Sequence, residues 1–217
     1  MKNTILVIGF LLIAVSLSGQ SDFYGINFQN EKYSFKDWNL KTLTAANTCA
    51  DVGYMTEEEK KVVFLINLLR ADSRLFATTF MLEFLESQRY KPSEELNMLT
   101  KQLKKNRKLP MLHPDKDLYR VSEDFANKNG RSGKVGNKGY KARYAKIKKQ
   151  YSYILENYHY GHSEAIYIVM QMLLDENDAQ KQNRKNLLNK KINSIGISIR
   201  PHSKYNFNTV AGLATRR

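Results

Sequence analysis

A single cysteine, Cys49, serves all 217 residues, so no internal disulfide holds this chain together. Cys49 lies too far from the N-terminal apolar run to be a lipid attachment point. With no helix start or catalytic partner near it in sequence, it reads as a buried, inert thiol. Proline is scarce, and Pro92, Pro110, Pro114 and Pro201 mark breaks between segments. Long apolar runs are missing beyond residue 20, which excludes a bundle of membrane-spanning helices. Acidic residues are outnumbered, 21 against 35 Lys plus Arg, for a net charge of +14. What remains is ordinary for a globular core: 42% hydrophobic and 11% aromatic residues exclude a disordered or fibrous chain.

Residues 1–20 differ in kind from the rest. Lys2 supplies a positive start, Ile5 to Leu17 is apolar apart from Gly9 and Ser16, and Ser16-Leu17-Ser18-Gly19 offers small residues for cleavage. The run is shorter than the ~20 residues a spanning helix needs. A signal peptide is expected, and with it a secreted or periplasmic mature protein with no transmembrane segment. The basic residues cluster at Lys101–Lys108, Arg131–Lys149 and Lys181–Lys191. A field of that sign draws anionic partners such as envelope polymers or phospholipid headgroups, beyond keeping the protein soluble. Nucleic acid rests on charge alone and is not expected.

Residues 21–54 mix Phe23, Tyr24, Phe28, Tyr33, Phe35 and Trp38 with polar residues and lack a sustained period, as an arm packed on the domain would. The domain itself spans 55–217, with N-terminal helices over 57–108 and a core over 109–214. Thr56 and Glu59 form a capping-box pattern ahead of a helix that buries one face through Val62, Val63, Ile66 and Leu69. A second helix over Arg74–Gln88 and a third over Ser93–Lys108 follow. Leu118, Val121, Ser122, Phe125 and Ala126 stripe another helix, which Gly130 is expected to end. A glycine-rich loop covers Gly130–Gly139 without the spacing of a phosphate-binding loop, and Arg143–Lys149 reads as a short basic helix. A strand over Tyr151–Glu156, a turn at Tyr158–Gly161, a helix capped by Ser163, and strands over Ile192–Arg200 and Tyr205–Leu213 complete an α+β layered domain. This order places Glu156 and Asn183 where the two ends of one helix-bearing connection return to a shared cleft.

Six features in order carry a resemblance. They are Leu109-Pro-Met-Leu112, the helix holding Leu118 and Ala126, Gly133-Lys-Val-Gly136-Asn137, Glu156-Asn157, Arg184-Lys-Asn-Leu-Leu188 and Ile195-Gly196-Ile197. Together with Ile66-Asn67-Leu68-Leu69-Arg70, this chain resembles the CAP superfamily over residues 57–214, in particular its bacterial SCP-like secreted branch. The resemblance implies an α-β-α sandwich with a small antiparallel sheet flanked by helices. It also implies secretion, and a cleft that in many members holds a divalent metal between two histidines and two acids.

The family histidines are missing: Asn137 and Asn183 stand at their places, Glu156 keeps one acid position and Asp175 is matched to the other. Amide oxygen is a poor substitute for imidazole at zinc, so no zinc cofactor is expected. Two amides and two carboxylates are an all-oxygen set, the kind calcium or magnesium takes when water completes the shell. His159 and His162, three apart just after Glu156, are candidate replacements if both rings converge on it, and Arg184 is a further polar candidate. With the expected bases replaced by asparagine, no catalytic residue is assigned. The expectation is a degenerate metal cleft in a non-catalytic module that binds an anionic or lipid-like ligand or a partner protein. The alternative is a peptidase-like hydrolase acting through Glu156 with His159 or His162.

Overall fold

The computed structural model describes residues 22–23, 26–27, 35–106 and 108–217, so the expected leader and most of the aromatic segment before Phe35 lie outside the described residues. Short strands β1 (Asp22–Phe23) and β2 (Ile26–Asn27) pair with each other. From Phe35 onward the expected arm is part of the core. The Phe35 ring packs at a tilt against Phe64 and Phe80, with centroids 5.9 Å and 5.2 Å apart, and helix α1 (Leu40–Ala46) buries Leu43 and Ala46.

Helix α2 (Glu57–Ala71) starts at the capping box: Thr56 N donates to Glu59 Oε2 at 2.8 Å and Glu59 N to Thr56 Oγ1 at 3.3 Å. Glu59 also reaches across the molecule, its Oε1 accepting from Ile199 N and Arg200 Nη1, both at 2.8 Å. The expectation of one buried face is too modest. Residues 61–70 are all buried, because elements pack around the whole circumference of α2. The helix expected over Arg74–Gln88 is broken at Thr79 (φ −117°, ψ −97°) into α3 (Ser73–Thr78) and α4 (Phe80–Ser87). Helix α5 (Glu94–Lys105) ends short of Lys108 and buries Leu99 and Leu103.

Two residues of β3 (His113–Pro114) lead into α6 (Lys116–Ser132), capped by Asp115 Oδ1, which accepts from the amides of Asp117 and Leu118. Gly130 does not end this helix. It lies inside α6, where an added Cβ would stand 2.1 Å from the Pro201 carbonyl oxygen, and Gly133 at φ +64° closes the helix instead. The basic helix is α7 (Tyr140–Tyr144), earlier than expected, with a single 3-10 turn at Lys148–Gln150. Strand β4 (Tyr151–Tyr160) continues through the expected turn to Tyr160, which pairs with Asn208, and the chain reverses at Gly161. Helix α8 (Ala165–Leu174) has Glu164 rather than Ser163 at its cap, and its first amide is taken by Glu58 Oε2 of α2 at 3.0 Å. Helix α9 (Gln182–Leu187) and strands β5 (Ser194–His202) and β6 (Asn206–Arg216) complete the chain, with Pro201 inside β5 rather than in the turn.

The fold is an α+β sandwich. Its sheet runs β3-β5-β6-β4, antiparallel except that β3 lies parallel to β5, so the expected antiparallel sheet is mixed. Helix α6 covers one face while α2 and α8 cover the other. Gly196 of β5 lets α6 come close, since a Cβ there would stand 2.0 Å from Tyr119 N. No helix among the described residues is long and apolar enough to cross a membrane.

Two polar residues of α2 hold the layers in place. Asn67 donates to the carbonyls of Ala46 and Leu112 and accepts from Leu112 N at 2.8 Å. Arg70, only 1% exposed, donates to the carbonyls of Pro110 (2.8 Å), Leu187 (2.6 Å), Asn189 (3.1 Å) and Ile192 (3.0 Å). Burial lowers its pKa to about 10, so it stays charged at neutral pH. Replacing Arg70 with Met should cost about 3–5 kcal/mol in urea unfolding, because the carbonyls lose their donors inside the core. Arg70→Lys should recover less than half of that, lacking the planar fork.

Candidate functional site

The alternation of β4 turns Ile154, Glu156 and Tyr158 toward the face that carries α6 and α7. Glu156 pairs with Gly212 of β6, which pairs with Gly196 of β5. This row of missing side chains leaves a hollow over the carboxylate. A Cβ at Gly212 would stand 2.9 Å from Tyr144 Oη and 3.2 Å from Ser122 Oγ, so the glycine is what admits Tyr144.

Three donors fill the hollow. Tyr144 Oη donates to Glu156 Oε1 at 2.6 Å, and both Arg143 Nη2 and Tyr158 Oη donate to Oε2. Arg143 Nη1 donates to the carbonyls of Asn137 and Lys138, and the guanidinium carbon lies 3.4 Å over the Phe125 ring centroid. The Glu156 side chain is 3% exposed and that of Arg143 14%, so the charges compensate each other away from water. Burial and the Glu156 charge raise the pKa of Tyr144 and Tyr158, which keeps both hydroxyls protonated as donors.

The two amides are held separately. Asn137 is exposed in the loop, and its hydrogen bonds among the described residues run through its carbonyl, to Tyr140 N at 3.1 Å and to Arg143. Asn183 sits at the outer edge of β4, where its Oδ1 accepts from Tyr158 N at 3.1 Å and its Nδ2 donates to Asp175 Oδ1 at 2.9 Å. Asn186 donates to the Glu156 carbonyl at 3.3 Å and Tyr140 Oη to the Ile154 carbonyl at 2.8 Å. Side chains of α7 and α9 thus satisfy the open backbone of the edge strand. Asp175, at φ +51° after α8, also accepts from Arg184 N at 3.2 Å, and Arg184 donates to the Leu173 and Leu174 carbonyls. Asp175, Asn183 and Arg184 therefore meet each other and the backbone beside Glu156, while Asn137 connects to Glu156 through Arg143.

As placed, these residues do not fit a divalent ion. The Glu156 carboxylate is surrounded by a guanidinium and two hydroxyl donors, and the Asn183 amide is used at both ends. No group of three or more His, Cys, Asp or Glu that would hold a metal occurs among the described residues. The histidines do not converge on Glu156 either. His159 is three residues along the strand and so on the opposite face. Its Nε2 accepts from His162 N at 3.2 Å, and His162 stacks on Tyr167 at 4.5 Å. Burial, with the charge of His162 adding to it, lowers the His159 pKa to about 4. Cys49 is buried and its thiol is raised to about 11 by burial, in keeping with an inert role.

Sequence reasoning missed Arg143, Tyr144 and Tyr158. Tyr158 carries a readable signal, since it is two residues from Glu156 and shares its strand face. Arg143 and Tyr144 carry none, because only the path of the glycine-rich loop brings α7 over Gly212.

A profile of the cysteine-rich secretory protein family, CAP, matches residues 63–213. No curated protein matches the chain. Among solved structures it is similar to an outer surface protein of Borrelia burgdorferi, at 19% identity over 58% of this chain and 96% of that one with a TM-score of 0.44. It is also similar to an extracellular protein containing an SCP domain from Bacillus anthracis, at 19% identity over 50% of this chain and 35% of that one with a TM-score of 0.40. A third, the venom allergen-like protein 4 of Schistosoma mansoni, shares 15% identity over 75% of this chain and 91% of that one with a TM-score of 0.49.

Two measurements check this geometry. Arg143→Met leaves Glu156 buried and uncompensated and should lower unfolding free energy by about 3–5 kcal/mol, and adding Glu156→Leu should restore at least half. His159 titrates near 6.5 when unfolded and at about 4 when folded. Its contribution is therefore complete above pH 6.5 and is lost as pH falls toward 4, by about 3 kcal/mol in all. Urea unfolding from pH 7.5 to pH 4.5 should show that decline, and His159→Gln should make it shallower by a comparable amount.

Proposed function

The chain belongs to the cysteine-rich secretory protein (CAP) family, and from that premise we propose that it is an exported, metal-independent binding module that holds an anionic ligand without transforming it. The observation that carries this reading is the engagement of Glu156 by Arg143, Tyr144 and Tyr158. A general base must present a free lone pair to a substrate proton, and a metal ligand must present one to the ion. Here the carboxylate presents its oxygens to a cation belonging to the same chain. Export is supported by the leader pattern of residues 1–20 and by the secretory character named in the family description. Anion binding is supported by the net charge of +14 and its clustering. The hydrolase reading finds less support, because His159 projects from the other face of the strand that bears Glu156.

Calorimetric titration with zinc and with calcium at pH 7.5 should give no saturable heat. Wild-type and Glu156→Gln proteins should be equally inactive on peptide and ester substrates. Saturable zinc binding, or a wild-type hydrolysis rate that Glu156→Gln abolishes, would overturn the proposal.

A further inference from the structure

We infer that the groove between α7, the turn at Lys148–Gln150 and the first half of β4 binds an acidic polysaccharide, a run of sugar rings bearing carboxylate or sulfate groups. The inference rests on the reading of the chain as a non-catalytic module and gives that module a seat and a ligand class.

The groove encloses about 480 Å³ and opens to solvent, with Tyr140 and Tyr153 along its walls and Lys141, Lys148, Lys149 and Arg217 around it. That volume falls within the ~300–1,000 Å³ of ordinary ligand sites. The charge around it is one-sided: residues 125–155 contain nine Lys and Arg and no Asp or Glu. Among the described residues the neighbouring ion pairs are Arg143–Glu156, Arg216–Asp115 and Arg120–Asp117, and none takes in the four groove cations. Elsewhere Lys60 is paired with Glu57, Lys61 with Glu58 and Lys181 with Glu95. The groove cations are therefore available to a ligand.

The aromatic rings decide what kind of anion. Tyr140 is fixed by its hydrogen bond to the Ile154 carbonyl, and Tyr153 is 42% exposed just past an irregularity in the β4 register. A fixed ring flanked by ammonium groups packs the C–H face of a sugar while the cations meet its acidic substituents. Single-stranded nucleic acid instead needs successive exposed ring faces for stacking, and only Tyr153 is strongly exposed here. A lipid surface needs aliphatic wedges. Among the described residues, Tyr153 alone of the large exposed hydrophobic side chains lines the groove.

The test titrates the full chain at low salt with heparin and with polygalacturonate, which separate sulfate from carboxylate. Dextran, oligo-dT and phosphatidylglycerol vesicles serve as comparisons. Heparin, polygalacturonate or both should bind saturably and dextran should not. Lys148→Ser with Lys149→Ser should weaken binding about tenfold through loss of two local charges. Tyr153→Ser should weaken it about fivefold with no change in charge. Lys101→Ser with Lys104→Ser on α5 removes the same charge elsewhere and should change it less than about twofold. The inference fails if neither polysaccharide binds, if the α5 variant loses as much as the groove variant, or if Tyr153→Ser binds like wild type. It also fails if oligo-dT or the vesicles bind more tightly through the same residues. Zinc binding or Glu156-dependent hydrolysis would sink the module reading and leave this mapping untouched, so the two failures are distinguishable.

Discussion

A guanidinium buried at 1% exposure among backbone carbonyls, with no carboxylate among its hydrogen-bond partners, is the constraint on which the arrangement depends. Arg70 fixes three distant stretches at once: the approach to β3 at Pro110, the end of α9 at Leu187 and Asn189, and the entry to β5 at Ile192. The charge makes each hydrogen bond stronger than a neutral one, and the low surrounding dielectric makes every unmet carbonyl costly. Because α9 is held at its C-terminal end, Asn183 and Asn186 fall along the edge of β4. The position of the Glu156 strand thus follows from a contact made in the first long helix.

The same logic recurs at Glu156 with the sign reversed. A buried carboxylate needs donors, and the chain supplies a guanidinium and two hydroxyls. Gly212 makes the room and Phe125 gives the guanidinium a flat ring to lie on. Asn183 bonds the strand's own backbone, closing part of an edge that would otherwise offer open hydrogen-bonding groups. The ion pair and the edge amides tie α7 and α9 to β4.

Local physics is legible in this chain where it acts alone. The Thr56–Glu59 pattern and the apolar stripe of α6 are read from spacing because each is settled within a few helical turns. The errors fall where a distant element intervenes. Gly130 reads as a helix end, yet α6 continues because the glycine is needed for the approach of Pro201. Ser163 reads as a cap, but Glu58 from α2 does that work at Ala165. The strand after Tyr151 reads as ending at Glu156, and β6 extends its pairing to Tyr160. The four family-matched positions are read from the resemblance alone. The cation that pairs with Glu156 has no such signal, since nothing in the spacing of Arg143 shows that the loop folds back over Gly212.

The closed edge bears on the proposed recognition, which uses side chains beside it. In its second half β4 is covered by Asn183 and Asn186, and Tyr140 takes the outward carbonyl of Ile154. A ligand arriving next to that strand meets ring faces and ammonium groups rather than open amides, so strand addition is disfavoured and charge with ring stacking is favoured. The helix α7 that makes this surface is the same five residues that deliver Arg143 and Tyr144 to Glu156. The buried ion pair of Arg143 with Glu156 therefore anchors α7, and with it Tyr140 and Lys141, from beneath.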